Sequence, residues 1–257
     1  MGPGGTRCDA TTLVVTPTYN ELGNIHAVVQ QVLAQGPNFH LLVVDDNSPD
    51  GTGRAADELG ADEPRLMVLH RREKQGLGPA YVAGLLHGLA LGFDRLVTMD
   101  ADLSHDPADL PRLGAALDAG ADVACGSRWA RGGGTVGWPL SRRILSRGGS
   151  TYARLMLGLN MRDVTGGYKC FQRAALAAID PGSMRTTGYA FNIELNFRAA
   201  RLGLAVDEVP ITFRERQVGT SKMSGDIILE ALRAVPRLRH TPPTPVPVGA
   251  TEVHIAA

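Results

Sequence analysis

Two carboxylates separated by a single residue, Asp100 and Asp102, follow the apolar run 95–99. If that run is a strand, its period of two puts both acids on one face at the rim of a sheet. Carboxylates that leave room for phosphate oxygens are a usual site for Mg²⁺ or Mn²⁺ in enzymes that handle nucleotide diphosphates. The spacing alone is more often that of a solvated turn or of helix-capping acids before Pro107, so the neighbouring motifs decide its meaning.

A second acidic group, Asp45 and Asp46, ends another apolar run and precedes the turn signal at 48–51. Ser48 and Asp50 are typical caps of a following helix. A carboxylate at a strand tip accepts hydrogen bonds from a base N–H or a ribose hydroxyl. Asp46 is therefore a candidate nucleoside ligand.

The basic residues are clustered although the 26 Lys and Arg balance the 26 Asp and Glu. A neutral protein has no overall attraction for nucleic acid, and local clusters indicate a small anionic ligand. Arg128, Arg216 and Lys222 are candidate phosphate ligands through charge-assisted hydrogen bonds. Each of them alone is equally consistent with a solvated surface cation.

Several classes of protein are disfavoured by the composition. The three cysteines form no CxxC pair, and their odd number indicates a reducing compartment such as the cytoplasm. No apolar run approaches the roughly 18 residues of a membrane-spanning helix, and the first residues lack the apolar segment of a signal peptide. The seven histidines show no HExxH spacing, and no GxSxG motif is present, so zinc and serine-hydrolase chemistry is not indicated.

Short β-rich runs alternate with helical patterns along the first half of the chain. Strands are predicted at 13–16, 41–44, 66–69, 96–99 and 123–125, and helices near 21–35, 52–60, 79–91 and 107–118. This alternation predicts an α/β fold with a mainly parallel central sheet flanked by helices. Ligands of such sheets bind beyond the carboxyl ends of the strands, where the motifs at 17–21, 45–51 and 100–104 all fall.

The second half of the chain is less regular. The pattern predicts a helix over 141–157, a strand over 206–213, and at 131–137 a glycine-rich segment that is either a mobile lid or a surface turn. We expect one domain over 12–240, a flexible start at 1–11 and a disordered tail at 241–257, which holds four prolines.

Together these motifs resemble the polyprenyl-phosphate (dolichyl-phosphate) mannosyltransferases of glycosyltransferase family 2, which have the single-domain GT-A fold. The matching segments follow the family order at 17–21, 45–52, 100–105, 126–128, 142–147, 165–169 and 213–222. The first three are typical of the family in general, and the last four narrow the match to the mannosyl branch.

The resemblance implies a role for each matching position. The donor GDP-mannose would be contacted by Pro17, Tyr19, Glu21, Val44 and Asp46, and a Mg²⁺ or Mn²⁺ cofactor by Asp100, Asp102 and Ser104, with the backbone of Ala101 nearby. The donor phosphates would be held, and transfer catalysed, by Asp102, Arg128, Arg216 and Lys222. The lipid phosphate would face Arg128, Arg142, Ser146 and Arg147. Some relatives carry Gln in place of Ser104, whose shorter hydroxyl leaves direct and water-bridged metal contact open.

The acceptor's chemistry sets the expected mechanism. A phosphate monoester has a second pKa near 6, so it is mostly dianionic at pH 7 and needs no strong general base. We expect a single in-line displacement at the anomeric carbon with inversion, in which cations stabilise the departing GDP.

The lipid acceptor requires contact with a membrane surface, and we expect a peripheral protein at the cytoplasmic face. An apolar stripe at 228–235 lies beside Arg233, Arg237 and Arg239, so it fits either an anionic membrane surface or ordinary core packing. A separate membrane-anchoring partner protein is the other route.

Three rival functions remain open. One is transfer from a UDP-sugar such as UDP-glucose to the same lipid. Another is an aspartyl phosphatase with an Asp-x-Asp-x-Thr motif, although that motif normally follows the first strand. The third is a non-catalytic nucleotide-sugar binding protein.

Overall fold

The computed structural model describes residues 10–186, 188, 190–215 and 234–239. Nine strands are present in this part of the chain: β1 (Thr12–Thr18), β2 (Phe39–Asp45), β3 (Leu66–His70), β4 (Arg95–Thr98), β5 (Val123–Ser127), β6 (Gly134–Val136), β7 (Lys169–Gln172), β8 (Val206–Pro210) and β9 (Thr212–Arg214). The α-helices are α1 (Leu22–Leu33), α2 (Thr52–Gly60), α3 (Leu77–Leu91), α4 (Leu110–Asp118), α5 (Leu140–Leu157), α6 (Arg173–Ile179) and α7 (Ala190–Arg201). Short 3₁₀ turns lie at Pro107–Asp109 and Pro181–Ser183, and residues 234–239 are helical.

Seven of the strands form one sheet in the order β3-β2-β1-β4-β7-β5-β8. Only β7 runs antiparallel to its neighbours, so the predicted mainly parallel α/β sheet is confirmed. The sequence pattern missed β7, because it spans four residues and begins with a buried lysine.

A second, two-stranded sheet pairs β6 with β9 in parallel. The glycine-rich segment 131–137 therefore contains a strand, which pairs with the chain immediately before residue 215. The predicted strand over 206–213 is in fact two strands, β8 in the large sheet and β9 in the small one.

The core lies on both faces of the large sheet. Alternate residues of β1 point to opposite faces, so Leu13 and Val15 join one apolar cluster and Val14 joins the other. Helices cover both faces, and the inner strands accordingly read as continuous apolar runs. Cys125 and Cys170 are buried as free thiols, and burial raises the pKa of each to about 12.

Helix α3 approaches the sheet closely through two glycines. A Cβ atom at Gly84 would lie 2.3 Å from Cγ1 of Val15, and one at Gly88 would lie 2.6 Å from Cδ2 of Leu96. Because no side chain fills these places, the helix backbone rests directly on β1 and β4. This close approach also brings Tyr81, one turn before Gly84, to the carboxyl edge of the sheet.

The described end of the predicted membrane stripe packs into the core. Val235 and Leu238 are buried in the same apolar cluster as Leu13. Of the two alternatives predicted for the stripe, Val235 therefore follows core packing and is not exposed to a membrane. Residues 228–233 of that stripe lie outside the described residues, as do 1–9 and 240–257, and the predicted flexible termini stay predictions. No described helix is long and apolar enough to span a membrane.

Candidate functional site

The carboxyl ends of β1, β2 and β4 bring the three polar motifs to one edge of the sheet. Pro17 pairs with Val44 and Thr18 with Asp45 in the parallel register of β1 and β2. The backbone N–H of Met99 donates to the carbonyl of Val15 at 3.1 Å, which places the acidic loop beside β1.

The acidic loop is held by specific hydrogen bonds. The Tyr81 hydroxyl donates to Oδ1 of Asp100 at 2.7 Å. Leu103 adopts a left-handed backbone with φ 57°, and the backbone N–H of Ser104 donates to Oδ1 of Asp102 at 3.0 Å. The Ser104 hydroxyl is buried and makes no hydrogen bond with the described residues.

These residues fit a divalent cation. The described chain holds no group of three or more His, Cys, Asp or Glu arranged as a metal site. Two carboxylates and a buried hydroxyl with no partner are a donor set of hard oxygens, and Mg²⁺ and Mn²⁺ are commonly completed by water and substrate phosphates. The assignment of Asp100, Asp102 and Ser104 to a metal stays a prediction.

His105 is a structural part of the acidic loop. Its Nδ1 accepts from the backbone N–H of Asp100 at 3.3 Å, and its ring stacks on Tyr168 with centroids 4.8 Å apart. Burial lowers the pKa of His105, and the nearby cations Arg128 and Lys169 lower it further against the opposing effect of the two acids. The ring is therefore neutral at pH 7.

The segment that follows β3 contacts two of the residues predicted to bind the nucleoside, Asp46 and Tyr19. Arg71 forms an ion pair with Asp46 and donates to Oε1 of Gln75 at 2.6 Å. The ammonium of Lys74 lies 3.7 Å from the centroid of the Tyr19 ring. Sequence reasoning assigned no role to this segment, although a basic cluster directly after a strand was a signal for one.

The other predicted nucleoside residues differ in how they are placed. The side chain of Val44 is entirely buried in the core, so a contact with a ligand would have to go through its backbone. Glu21 precedes α1 and accepts from Nδ2 of Asn24 at 2.8 Å. Pro17 is half-buried at the end of β1. The roles predicted for these residues stay predictions.

The predicted capping of α2 by Ser48 or Asp50 is wrong, because Gly51 is the N-cap residue of α2 and no side chain caps this helix. Asp50 instead ties the turn before α2 to the start of α1. It accepts from the backbone N–H and hydroxyl of Thr52 and from the backbone N–H of Leu22. Partial burial opposes ionisation, but these hydrogen bonds prevail and lower the pKa of the carboxyl.

Arg128 is part of a buried ion pair. Its Nε and Nη2 donate to the two carboxylate oxygens of Asp163, both at 2.7 Å, and Nη2 also donates to the hydroxyl of Thr165. Burial penalises the Asp163 carboxylate, but the Arg128 guanidinium outweighs that penalty and lowers its pKa. The charge of Arg128 is therefore already balanced, and Nη1 makes no hydrogen bond to a described residue.

Helix α5 presents some of the predicted acceptor ligands on one inward face. Arg142 and Ser146 lie one turn apart, followed by Ser150, and both serines are buried. Arg142 donates from Nη1 to Oε1 of Glu215 at 3.0 Å. Arg147 lies on the adjacent exposed side of the helix.

Strand β9 joins the acidic loop to this helix. The backbone N–H of Arg214 donates to the carbonyl of Ser104 at 3.0 Å, and that of Glu215 donates to the carbonyl of Val136 at 2.9 Å. Arg216 and Lys222, which follow directly, lie outside the described residues, and their roles stay predictions.

A fully buried lysine, Lys169, begins β7 close enough to Asp100 to interact electrostatically with it. Nζ of Lys169 donates to the carbonyl of Gly166 and to Oδ1 of Asn192. Burial lowers the pKa of Lys169 even though Cys125, Asp163 and Asp100 favour its charged form. Sequence reasoning placed Lys169 in a matching segment but gave it no role, and Asp163 and Tyr81 were likewise missed.

Comparison with known proteins supports the resemblance. The family model for "Glycosyl transferase family 2" matches residues 13–180. The polyprenol monophosphomannose synthase of Mycolicibacterium smegmatis is 50% identical over 231 residues, which cover 90% of this chain and 87% of that protein. The undecaprenyl-phosphate mannosyltransferase of Micrococcus luteus is 49% identical over 225 residues, covering 88% and 92%.

A solved structure has the same fold. Glucosyl-3-phosphoglycerate synthase from Mycobacterium tuberculosis, in complex with Mn²⁺, UDP and glucosyl-3-phosphoglycerate, superposes with a TM-score of 0.63 at 22% identity. The superposition covers 90% of this chain and 78% of that one. The predicted GT-A architecture is thereby confirmed.

Proposed function

Because the chain belongs to glycosyltransferase family 2, we propose that it transfers mannose from GDP-mannose to a polyprenyl monophosphate. The names of two relatives at about half identity, one a polyprenol monophosphomannose synthase and one an undecaprenyl-phosphate mannosyltransferase, support the acceptor class and the sugar. The donor nucleotide follows from the resemblance of the nucleoside motifs.

One observation carries the proposal at the level of geometry. Strand β9 and Glu215 connect the acidic loop, through the Ser104 carbonyl, with the inward face of α5, through Arg142. Carboxylates suited to a metal-bound diphosphate and an arginine suited to a phosphate monoester are thus neighbours. Such an arrangement suits transfer between two phosphate-bearing substrates.

The reaction is a single displacement. A non-bridging oxygen of the lipid phosphate forms a bond to the anomeric carbon of mannose, and the bond from that carbon to the GDP oxygen breaks. The electron pair leaves with GDP, and the configuration at the anomeric carbon is inverted. Arg216 and Lys222 would stabilise the charge that develops on the departing diphosphate.

A divalent cation held by Asp100, Asp102 and Ser104 would supply further charge neutralisation at the donor diphosphate. The Mn²⁺ and UDP in the complex of the M. tuberculosis enzyme are consistent with such a cation on this fold. The chain's own task is to orient the two carboxylates, which Tyr81 and the backbone N–H of Ser104 do.

His105 has a structural role in the acidic loop, and the proposed reaction does not require it as a general base. Its Nδ1 is engaged by the backbone of Asp100, and its lowered pKa reflects burial in the loop. A dianionic phosphate monoester is already nucleophilic at pH 7, since its second pKa is about 6.

Contact with a membrane surface is supported by the outward side of α5. Leu140, Ile144 and Leu155 are 68%, 64% and 70% exposed, and they alternate with exposed arginines at 143, 147 and 154. Apolar side chains flanked by cations are typical of a helix that lies in an anionic lipid surface. The inward side of the same helix carries Arg142 and Ser146, so the residues proposed for the membrane and those proposed for the lipid phosphate belong to one element.

The test is transfer of radiolabelled sugar into an organic-extractable lipid. GDP-mannose and UDP-glucose are supplied separately with polyprenyl phosphate and Mg²⁺ or Mn²⁺, and EDTA serves as the control. We expect metal-dependent labelling from GDP-mannose alone. Labelling from UDP-glucose would assign the protein to the glucosyl branch, and no labelling from either would contradict the proposal.

A further inference from the structure

The indole of Trp138 is a buried hydrogen-bond donor with no acceptor among the described residues. Trp138 lies between β6 and α5, directly before Pro139, and is 8% exposed. Its Nε1 is buried and makes no hydrogen bond in the described part of the chain. A buried donor that is left unsatisfied is unfavourable, so a ligand that supplies the acceptor is one explanation for it.

The surroundings of Trp138 are cationic and aromatic. The guanidinium carbon of Arg142 lies 4.1 Å from the indole centroid, and that of Arg128 lies 5.6 Å from it. The ring of Phe213 meets the indole edge-on at 5.1 Å. These contacts hold the indole against two guanidinium groups, of which that of Arg142 is paired with Glu215 and that of Arg128 with Asp163.

The missing acceptor has a definite chemistry. An oxyanion with several oxygens can accept from a guanidinium and an indole N–H together, and a phosphate monoester has this character. Arg142 lies in the segment that resembles the acceptor-binding motif, on the same helix face as Ser146. The orphan donor therefore lies where a lipid phosphate would be bound.

The second tryptophan of the chain provides the contrast. Nε1 of Trp129 is also buried without a hydrogen-bond partner among described residues, but the residue as a whole is only half-buried. Its nearest cations, Arg128 and Arg147, lie 5.7 Å and 6.0 Å from its ring centroid. Trp129 therefore lacks the close guanidinium that Trp138 has.

We propose that Trp138 is an acceptor-binding residue whose indole N–H donates to an oxygen of the polyprenyl phosphate that Arg142 also contacts. The proposal rests on the proposed function, because it assigns one more ligand to the acceptor of that reaction. It accounts for a buried tryptophan next to a glycine-rich segment whose other residues are exposed or half-buried.

Steady-state kinetics of Trp138→Phe test the hydrogen bond itself. Phenylalanine keeps an aromatic ring against Arg142 and Phe213 but lacks the N–H. A hydrogen bond to a charged group contributes about 1.5–3 kcal/mol, which corresponds to a rise of about tenfold or more in the KM for polyprenyl phosphate. We expect the KM for GDP-mannose to change less than about twofold, and Trp129→Phe, the matched control, to leave both constants near wild type.

A binding measurement makes the inference independent of turnover. The chain has two tryptophans, so Trp129→Phe leaves Trp138 as the sole indole fluorophore. We expect its emission to change saturably on titration with a short-chain polyprenyl phosphate, and not with the matching polyprenol. A response to GDP-mannose alone would overturn the assignment, because it would place the indole at the donor diphosphate.

The two failures are distinguishable. The role of Trp138 would be overturned, and the proposed function left intact, by three results together. These are transfer by the wild type, an unchanged KM for polyprenyl phosphate in Trp138→Phe, and no change in Trp138 fluorescence on titration with polyprenyl phosphate. Absence of wild-type transfer would contradict the proposed function, and a silent indole in the same protein would separately overturn phosphate binding at Trp138.

Discussion

At the scale of single residues, the hydrogen bond from Tyr81 to Asp100 connects the packing of α3 with the predicted metal site. The phenol is buried on α3, and its hydroxyl fixes one oxygen of a carboxylate that we assign to a metal. Because a hydrogen bond to a charged group contributes about 1.5–3 kcal/mol, Tyr81→Phe should raise the half-saturating Mn²⁺ concentration about tenfold. Isothermal titration with Mn²⁺ and metal-dependent transfer measure this change.

Tyr168→Phe is the matched control for that variant. It removes another phenol hydroxyl, which donates to the backbone carbonyl of Asp106 at 3.1 Å. We expect it to lower thermal stability without changing the dependence on Mn²⁺. Equal Mn²⁺ binding by Tyr81→Phe and wild type would disprove the orienting role of Tyr81.

The Arg128–Asp163 pair makes a prediction about stability and pH. Asp163→Asn leaves a buried guanidinium uncompensated, which typically costs about 3–5 kcal/mol. Burial alone would raise the pKa of Asp163, but Arg128 lowers it below its ordinary value. A carboxyl with a lowered folded-state pKa stabilises the fold above its unfolded pKa of about 3.9, and loses that contribution as the pH falls through the folded value.

Urea denaturation of wild type and Asp163→Asn at neutral pH and below about pH 4 measures that difference. The gap in unfolding free energy should be large at neutral pH and should narrow in acid, where Asp163 of the wild type takes up a proton. Glu58→Gln, which breaks the exposed pair with Arg54, should cost less than about 1 kcal/mol. If the difference in unfolding free energy between wild type and Asp163→Asn widened in acid, the pKa of Asp163 would not be lowered in the folded protein.

At the scale of secondary-structure elements, the packing of α3 sets the position of Tyr81. Gly84→Ala would place a methyl 2.3 Å from Cγ1 of Val15 and 2.9 Å from Cγ2 of Val44. Both neighbours are β-branched and stiff, so the helix must move away from the sheet. We expect a loss of about 1–3 kcal/mol in unfolding free energy, together with weaker Mn²⁺ binding because Tyr81 moves with the helix.

Gly149→Ala is the corresponding control in α5. Nothing lies within 4 Å of a Cβ at that position, and its backbone is helical. Alanine there should stabilise the protein by about 0.5–1 kcal/mol through helix propensity. Thermal unfolding of both variants measures these effects. Equal stability of the two variants would show that α3 tolerates a methyl group at position 84 despite its close approach to the sheet.

The order of helices and strands in the first half followed from the sequence because period and turn signals agree there. The runs at 13–16, 41–44 and 66–69 all became parallel strands, and their polar ends meet at one edge. Strand β7 could not be predicted, because it is four residues long and its burial depends on partners distant in sequence. Asp163 was missed for the same reason, since its partner Arg128 is 35 residues away.

At the scale of the whole molecule, α5 separates an interior side that faces the site from an exterior side with no described protein cover. Its apolar residues at 140, 144 and 155 recur at helical spacing on one outward face, with arginines beside them. Burying these side chains in a lipid surface gains hydrophobic free energy, and each arginine adds about 1 kcal/mol at an anionic surface. Arg142 is on the interior side of the same helix, so docking through α5 would bring the site to the lipid surface.

Replacement of Ile144 and Leu155 together by Ser tests this orientation. We expect the double variant to lose most of its flotation with anionic vesicles and most of its transfer to polyprenyl phosphate embedded in them. Transfer to the same acceptor in detergent micelles should stay near wild type, because the side chains that bind the phosphate are untouched. Leu91→Ser on α3 and Leu202→Ser in the turn after α7, at residues 51% and 41% exposed, should leave flotation unchanged. Wild-type protein that does not float would contradict direct docking through α5 and leave recruitment by a separate membrane-anchoring partner as the route to the lipid.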